Sequence, residues 1–417
     1  VYKRQGTIKA TDSYSEYAIR GGFFRVNYNY LDKYLLEVNG RYDGSSKFPK
    51  SSRFGFFPSV SAGWQIAQER FMNSTRHWLD GLKLRASYGV IGNQNINPYT
   101  FTPSMSVNNK ATSWIIDDTY VTSISSLPAL VSQNFTWEKV GTINVGLDVN
   151  LFNNRLSGVF EWYQRNTNGM LAPGVQLPAV VGASAPYQNT ADMRTRGWEL
   201  SLNWRDQIGK VGYRIGFNLS DYKSEIIKYD DNAATKLLSS YYPGQTLGEI
   251  WGYVVDGYYT VDDFVDTSSW QLKEGVTSIN GYNVRPGDVK FKNLRDDDTS
   301  TNVITSGDNT FDNPGDRKVI GNTTPRYQYG INLGMNYAGF DLNVILQGTG
   351  KRDYWISNVL TFPMNGDNFV PLFEGLSDYW MPKDPDNGDW SAVNPNAKYP
   401  RIYGNRCLLY TSPSPRD

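Results

Sequence analysis

The stretch TINVGLDVNLFNNRLSGVFEWYQR, residues 142–165, contains two strands and the turn between them. Ile143, Val145, Leu147, Val149 and Leu151 alternate with Asn144, Gly146, Asp148 and Asn150, the period-two pattern of a strand with one apolar and one polar face. The tetrapeptide Phe152 to Arg155 places Asn153 and Asn154 where a tight turn asks for positive φ. The return strand sets Leu156, Phe160 and Trp162 against Ser157, Glu161 and Arg165. Such an apolar face belongs either inside a soluble sandwich or against lipid on an outer-membrane barrel. The hairpin alone fits both.

The same pattern recurs on either side. Toward the N-terminus, Phe24, Val26, Tyr28 and Tyr30 lie opposite Arg25, Asn27 and Asn29, and after a turn at 31–33 Tyr34, Leu36, Val38 and Tyr42 lie opposite Glu37, Asn39, Arg41 and Asp43. Val60, Ala62, Trp64 and Ile66 form a third strand face, and Leu82, Leu84, Ala86, Tyr88 and Val90 a fourth. Toward the C-terminus the faces are Trp198 to Trp204, Val211 to Leu219, Ile331 to Tyr337 and Phe340 to Leu346. The pattern predicts about ten strands, each near the roughly 9–11 residues that a tilted spanning strand needs.

Connections between these strands alternate short and long, with long ones expected over 91–135, 166–191 and 221–326. Short turns at one end and long loops at the other are the asymmetry of outer-membrane barrels. Tyr30, Tyr34, Phe152, Trp204, Tyr337 and Phe340 stand beside the short turns, where an interfacial aromatic girdle is expected. The predicted fold is therefore all-β: an antiparallel up-and-down transmembrane β-barrel.

Composition agrees. The 417 residues balance 41 Lys plus Arg against 41 Asp plus Glu, so no net charge points to nucleic acid. Aromatics reach 14%, and mean hydropathy is −0.51, as expected when alternation dilutes the apolar residues. No apolar run reaches the about 18 residues of a membrane-crossing helix, a test blind to barrel strands. One histidine, His77, and one cysteine, Cys407, leave no material for a Cys/His zinc site or a Cys-His dyad. Residues 1–5 and 407–417 resemble translated adapter read-through at the edges of metagenomic contigs and are expected to be non-native, leaving 6–406 as part of the barrel.

Several blocks resemble the SusC/RagA-type TonB-dependent transporters. They are YLLEVNGRYDGSSKF (34–48), GFFPSVSAGW (55–64), LKLRASYGVIGNQ (82–94), WEK (137–139), NVGLD (144–148), RGWEL (196–200), PGDVKF (286–291) and IGNTTPRYQYG (320–330), in the expected order. The resemblance implies a barrel of about 22 strands filled by a plug. It also implies TonB engaged through an N-terminal box, a SusD-like surface lipoprotein over the mouth, and oligosaccharide or peptide cargo. On that reading the chain is a fragment of a nutrient importer, without plug or TonB box, that does not transport by itself.

Rings in the long connections are the expected substrate or partner contacts: Trp114, Tyr120, Trp251, Tyr253, Tyr258, Tyr259, Trp270, Tyr354, Trp355, Trp380 and Trp390. Flat rings stack on sugar faces and fill grooves on partner proteins. No cofactor is expected. Asp296, Asp298, Asp308 and Asp312, with Asp297 and Asp316, offer oxygen ligands for Ca²⁺, although their spacing is not that of an EF-hand. Glu138, Asp148, Glu161, Glu199, Arg41, Arg85, Arg165 and Arg205 fall on polar strand faces and would line a barrel interior. Their carboxylates sit on different strands, which points away from a glycosidase or any other enzyme. A soluble carbohydrate-binding β protein and a plug-less porin are the alternative readings.

Overall fold

The computed structural model of the chain describes residues 14–105, 107–108, 115–116, 119–120, 124–125, 128–132, 135–175, 177–232, 234–238, 240–295, 302–355 and 374–402. The suspected tails at 1–5 and 407–417, and the candidates Trp114, Asp296, Asp297 and Asp298, lie outside these residues.

Ten strands form one antiparallel sheet: β1 (Ile19–Tyr30), β2 (Tyr34–Ser45), β3 (Phe54–Gln65), β4 (Leu79–Asn93), β5 (Glu138–Leu151), β6 (Leu156–Pro173), β7 (Tyr187–Ile208), β8 (Val211–Tyr229), β9 (Arg326–Tyr337) and β10 (Phe340–Lys351). Every strand pairs with its neighbours in sequence, so the sheet is a meander without crossovers. Short turns work by left-handed backbone. Leu31 and Asp32 both have φ near +55°, and Phe152, Asn153 and Asn154 lie at +59°, +57° and +60°. Positive φ at both central residues matches turn twist to strand twist.

Strand length departs from expectation, since the strands run 12–22 residues rather than near ten. The connections at 166–191 and 221–326 therefore shrink to 174–186 and 230–325. Alternation fails in RNTNG, residues 165–169, because both faces there are polar, yet β6 and β7 keep their backbone ladder through a bulge between Thr167 and Met170. Period two reports a face that differs from its opposite; it is silent where both are wet.

Burial decides between sandwich and barrel. In the middle of the sheet, flanked by paired strands, Val145 is 39% exposed, Phe160 44% and Trp162 40%. Every other sheet among the described residues has two strands. The soluble-sandwich alternative is corrected accordingly: the apolar side has no core of its own. What core the sheet has lies where its long connections start, with Phe48, Phe57, Phe135 and Trp137 buried together.

The 66–78 connection is the one exception to tight turns at the opposite end. It is built from the 3-10 turns Ile66–Gln68 and Arg70–Thr75. Glu69 pins it, accepting from Lys33 Nζ at 3.0 Å, Tyr34 Oη at 2.8 Å and Trp64 Nε1 at 3.2 Å. The hydrogen bond and charge of Lys33, then those from Tyr34 and Trp64, hold the Glu69 carboxyl below its ordinary value. A carboxyl depressed on folding stabilises above its unfolded value of about 4.5 and loses that contribution as pH falls through the lower folded value. Protease cleavage within 66–78 should therefore rise as pH drops below about 4.5, and Glu69→Gln should be easily cut at every pH. A wild-type profile flat with pH would refute the pin.

By their contacts the residues group into two units, Val1–Asp231 with Gly330–Leu346, and Asn232–Tyr329 with Gln347–Asp417. The second has its own small cores: Tyr259, Phe264 and Val284, and Val289, Phe291 and Ile304.

Candidate functional site

The polar face of the sheet gathers the charges that sequence placed there. Arg85 on β4, Gly146 on β5, Glu161 on β6 and Glu199 on β7 fall in one cross-strand row. Arg85 Nε donates to both oxygens of Asp148, at 3.1 and 3.2 Å, and its guanidinium also pairs with Glu161. Asn144 Nδ2 donates to the second Glu161 oxygen at 3.3 Å. Gly146 makes the reach across β5 possible, because a Cβ there would stand 2.8 Å from Arg85 Cζ. The device repeats on β8, where Arg214 lies over Gly334 of β9 and bonds Asn343 of β10. In both places arginine spans three strands because glycine clears the middle one.

Smaller links extend the network. Arg25 bonds Glu37 and Asn39 at 3.0 Å each, and Arg41 pairs with Asp43 at 2.9 Å. Arg205 stands opposite Arg214 in the ladder, and Arg165 opposite Thr195. Charges half-exposed on this face contribute little to stability, but they fix rotamers along the wall.

Glu138 has a different role. It accepts from Asn93 Nδ2 at 2.6 Å and from the Leu171 amide at 3.0 Å, tying together β4, β5 and β6 where their long connections begin. Two sequence blocks, GNQ at 92–94 and WEK at 137–139, thus meet in space. Trp137 Nε1 donates to the Arg53 carbonyl at 2.9 Å, and Gly92 sits under the Phe57 ring, where any Cβ would collide. Sequence reading placed Glu138 on the wall and missed this junction, whose signal was the two blocks themselves.

The residues beside the short turns lie as follows. Tyr30 and Tyr34 stack with ring centres 6.4 Å apart, and Phe152 tilts against Trp204 at the same distance. Tyr337 and Phe340 flank the turn at Ala338 and Gly339 and are exposed. His77, in the 66–78 connection, places Nδ1 3.0 Å from the Ser74 carbonyl and faces solvent.

Most of the loop aromatics are internal pieces of the second unit. Tyr259 is 0% exposed and Trp380 3%, which corrects their reading as open contact rings. Tyr259 donates to the Thr277 carbonyl at 2.6 Å, and burial pushes its hydroxyl up to about 12. Trp380 covers Gly287, whose φ of +87° and missing Cβ let the ring sit directly on the backbone of the Pro286–Gly287 turn. Asp288 of the same block grips Arg401 at 2.6 and 3.1 Å. Trp251 donates to Tyr242 Oη at 2.9 Å, and Tyr242 donates to Glu249 at 2.7 Å. Tyr253 tilts on Phe291, Tyr258 donates to the Ala397 carbonyl, and Trp270 packs edge-on against Phe264 and Trp390. Tyr354 is exposed and Trp355 half-exposed. Tyr120 lies in the two-residue strand Thr119–Tyr120.

Of the acidic cluster, Asp308, Asp312 and Asp316 lie among the described residues. Asp308 accepts from Asn313 at 3.0 Å, while Asp316, 0% exposed, accepts from three backbone amides. Among the described residues no three carboxylate, His or Cys side chains converge on a metal position.

Comparison with known proteins agrees with this architecture. A family model described as "TonB dependent receptor-like, beta-barrel" matches residues 2–405. TonB-dependent receptor P3 of Formosa agariphila is 30% identical over 361 residues, 82% of this chain and 33% of that protein. TonB-dependent receptor SusC of Bacteroides thetaiotaomicron is 35% identical over 209 residues, 49% of this chain and 20% of that protein. Among solved structures, the RagAB peptide transporter superposes with a TM-score of 0.66 at 23% identity, covering 96% of this chain and 39% of that one. The chain thus spans about a third of the length of the first curated relatives it matches. With a meander sheet, a bare apolar side and a polar side threaded by arginines, the chain belongs to the TonB dependent receptor-like β-barrel family and is wall of an outer-membrane barrel.

Proposed function

We propose that the chain forms part of the wall of an active nutrient importer of the outer membrane. The observation that carries this reading is the two-sidedness of the ten-stranded meander: an uncovered apolar side and an opposite side of interlinked polar groups. Lipid asks for the first, and an interior holding a plug and passing hydrophilic cargo asks for the second. In this reading Tyr30, Tyr34, Phe152, Trp204, Tyr337 and Phe340 anchor the wall at the interface.

The intact receptor would carry a plug and engage TonB, and a SusD-like lipoprotein would close its mouth over an oligosaccharide or peptide. Tyr354, the exposed ring among the candidates whose burial is described, is the one that would meet cargo or lipoprotein. The test is uptake by cells carrying the intact receptor. Import should stop when TonB is removed and fall sharply without the lipoprotein. Uptake that continues unchanged without TonB would favour the plug-less porin.

A further inference from the structure

Four Asn-Gly pairs lie among the described residues, at 39–40, 168–169, 280–281 and 387–388. In such a pair the amide nitrogen of the glycine can attack the side-chain carbonyl carbon of the asparagine before it. Glycine leaves that approach clear because it carries no Cβ. Whether the attack proceeds depends on what already holds the two groups.

Three of the pairs are held. Asn39 stands inside β2, which is laddered to β1 and β3 on either side, and its Nδ2 donates to Glu37 at 2.7 Å and Ser59 at 3.3 Å. The Gly169 amide donates to Asp192 Oδ1 at 2.7 Å, so that nitrogen is engaged. Asn387 Nδ2 donates to Asp384 Oδ2 at 2.7 Å, and the Gly388 amide donates to the Pro385 carbonyl at 3.2 Å.

Asn280 and Gly281 differ. They are the middle of a turn closed by the Tyr282 amide on the Ile279 carbonyl at 3.1 Å. Both are exposed, and among the described residues neither the Asn280 side chain nor the Gly281 amide has a hydrogen-bond partner. Gly281 has φ +78°, and a Cβ there would meet nothing within 4 Å. The flanks, by contrast, are anchored. Ile279 packs against both small cores of the second unit, and Tyr282 packs against the one built on Tyr259, Phe264 and Val284.

We infer that Asn280 is a site of spontaneous deamidation, the first of the four to convert, and that its product loosens the second unit. The Gly281 nitrogen bonds to Asn280 Cγ while the Cγ–Nδ2 bond breaks. Nδ2 leaves as ammonia, carrying the proton that the glycine nitrogen gives up. Water then opens the cyclic imide, at one carbonyl to aspartate and at the other to isoaspartate. Isoaspartate runs the main chain through the side-chain methylene, so it adds one backbone atom between two residues seated in packed cores. A close-packed interior has no slack for that atom, and an anchor must give. The inference is independent of the importer reading, since it concerns the turn alone.

The test is ageing of the intact receptor in lipid nanodiscs at mildly alkaline pH. Peptide mapping by mass spectrometry follows each Asn-Gly pair, with fragmentation that separates aspartate from isoaspartate. Conversion at Asn280 should run several-fold faster than at Asn39, Asn168 or Asn387, and Gly281→Ala should slow it several-fold. Amide hydrogen exchange at Ser278, which donates to the Asn302 carbonyl at 3.0 Å, should quicken as isoaspartate accumulates. Asn280→Gln, whose amide would have to close a larger ring, should age without that change and gives the comparison should the alanine variant fail to assemble. Equal or faster conversion at any of the other three pairs overturns the site. Unchanged exchange at Ser278 in fully converted protein overturns the loosening.

Discussion

Val145→Arg is expected to destabilise the folded barrel in lipid by about 2–4 kcal/mol, while Asn144→Arg, one residue away, should leave it nearly unchanged. Val145 sits on the apolar side between Ala86 of β4 and Trp162 of β6, in the middle of the sheet. An arginine there meets hydrocarbon, far from any interface to which its head could snorkel. Asn144 faces the other way, 3.3 Å from Glu161, where a guanidinium finds a carboxylate. The check is refolding into lipid vesicles across a urea series, followed by heat-modifiable migration on gels. A soluble protein would give a different answer, since Val145 is already 39% exposed and arginine at an exposed position is harmless in water. Equal tolerance at both positions would mean that neither face meets lipid.

Asp316→Ala should loosen the second unit by roughly 3–5 kcal/mol, the sum expected when several buried amides lose their acceptor. One carboxylate oxygen accepts from the Leu294 amide at 2.8 Å and the Arg295 amide at 3.2 Å, and the other from the Thr305 amide at 2.7 Å. The side chain thus ties two distant stretches of the longest connection. Asp316→Asn, which keeps one acceptor oxygen, should cost about half as much. Hydrogen exchange at Leu294 and Thr305 reads the effect, and the wall strands should be unaffected. Calcium discriminates the rival role of this residue. If added Ca²⁺ protects the wild type but not the alanine variant, Asp316 acts as a ligand and the staple account falls.

The two variants probe parts of the chain that were unequally legible. Hairpin 142–165 could be read strand by strand because its two faces differ, and its turn by the asparagines that tolerate positive φ. The outward extensions of β6, β7 and β8 could not, since a ladder between two wet faces leaves no trace in hydrophobic period. Charged wall residues were readable as a face but not as partners. Arg85 reaches Glu161 because register puts Gly146 between them, and register is a property of three strands together. The loop rings misled for a related reason. An aromatic in a polar connection looks available in sequence, yet Tyr259 and Trp380 are held inside by contacts with residues about 20 and 90 positions away, distances that no local pattern encodes.

Sequence by itself therefore determined the strand count, the alternation that separates lipid side from polar side, the short turns, and the blocks resembling one transporter family. Alternation is local, and local chemistry suffices for it. Tertiary structure alone decided which residues on each face are already engaged. It alone joined GNQ to WEK and gathered the Leu294, Arg295 and Thr305 amides around Asp316. Those outcomes depend on which distant segments arrive at the same place, and hydrogen-bond satisfaction is settled only when they have.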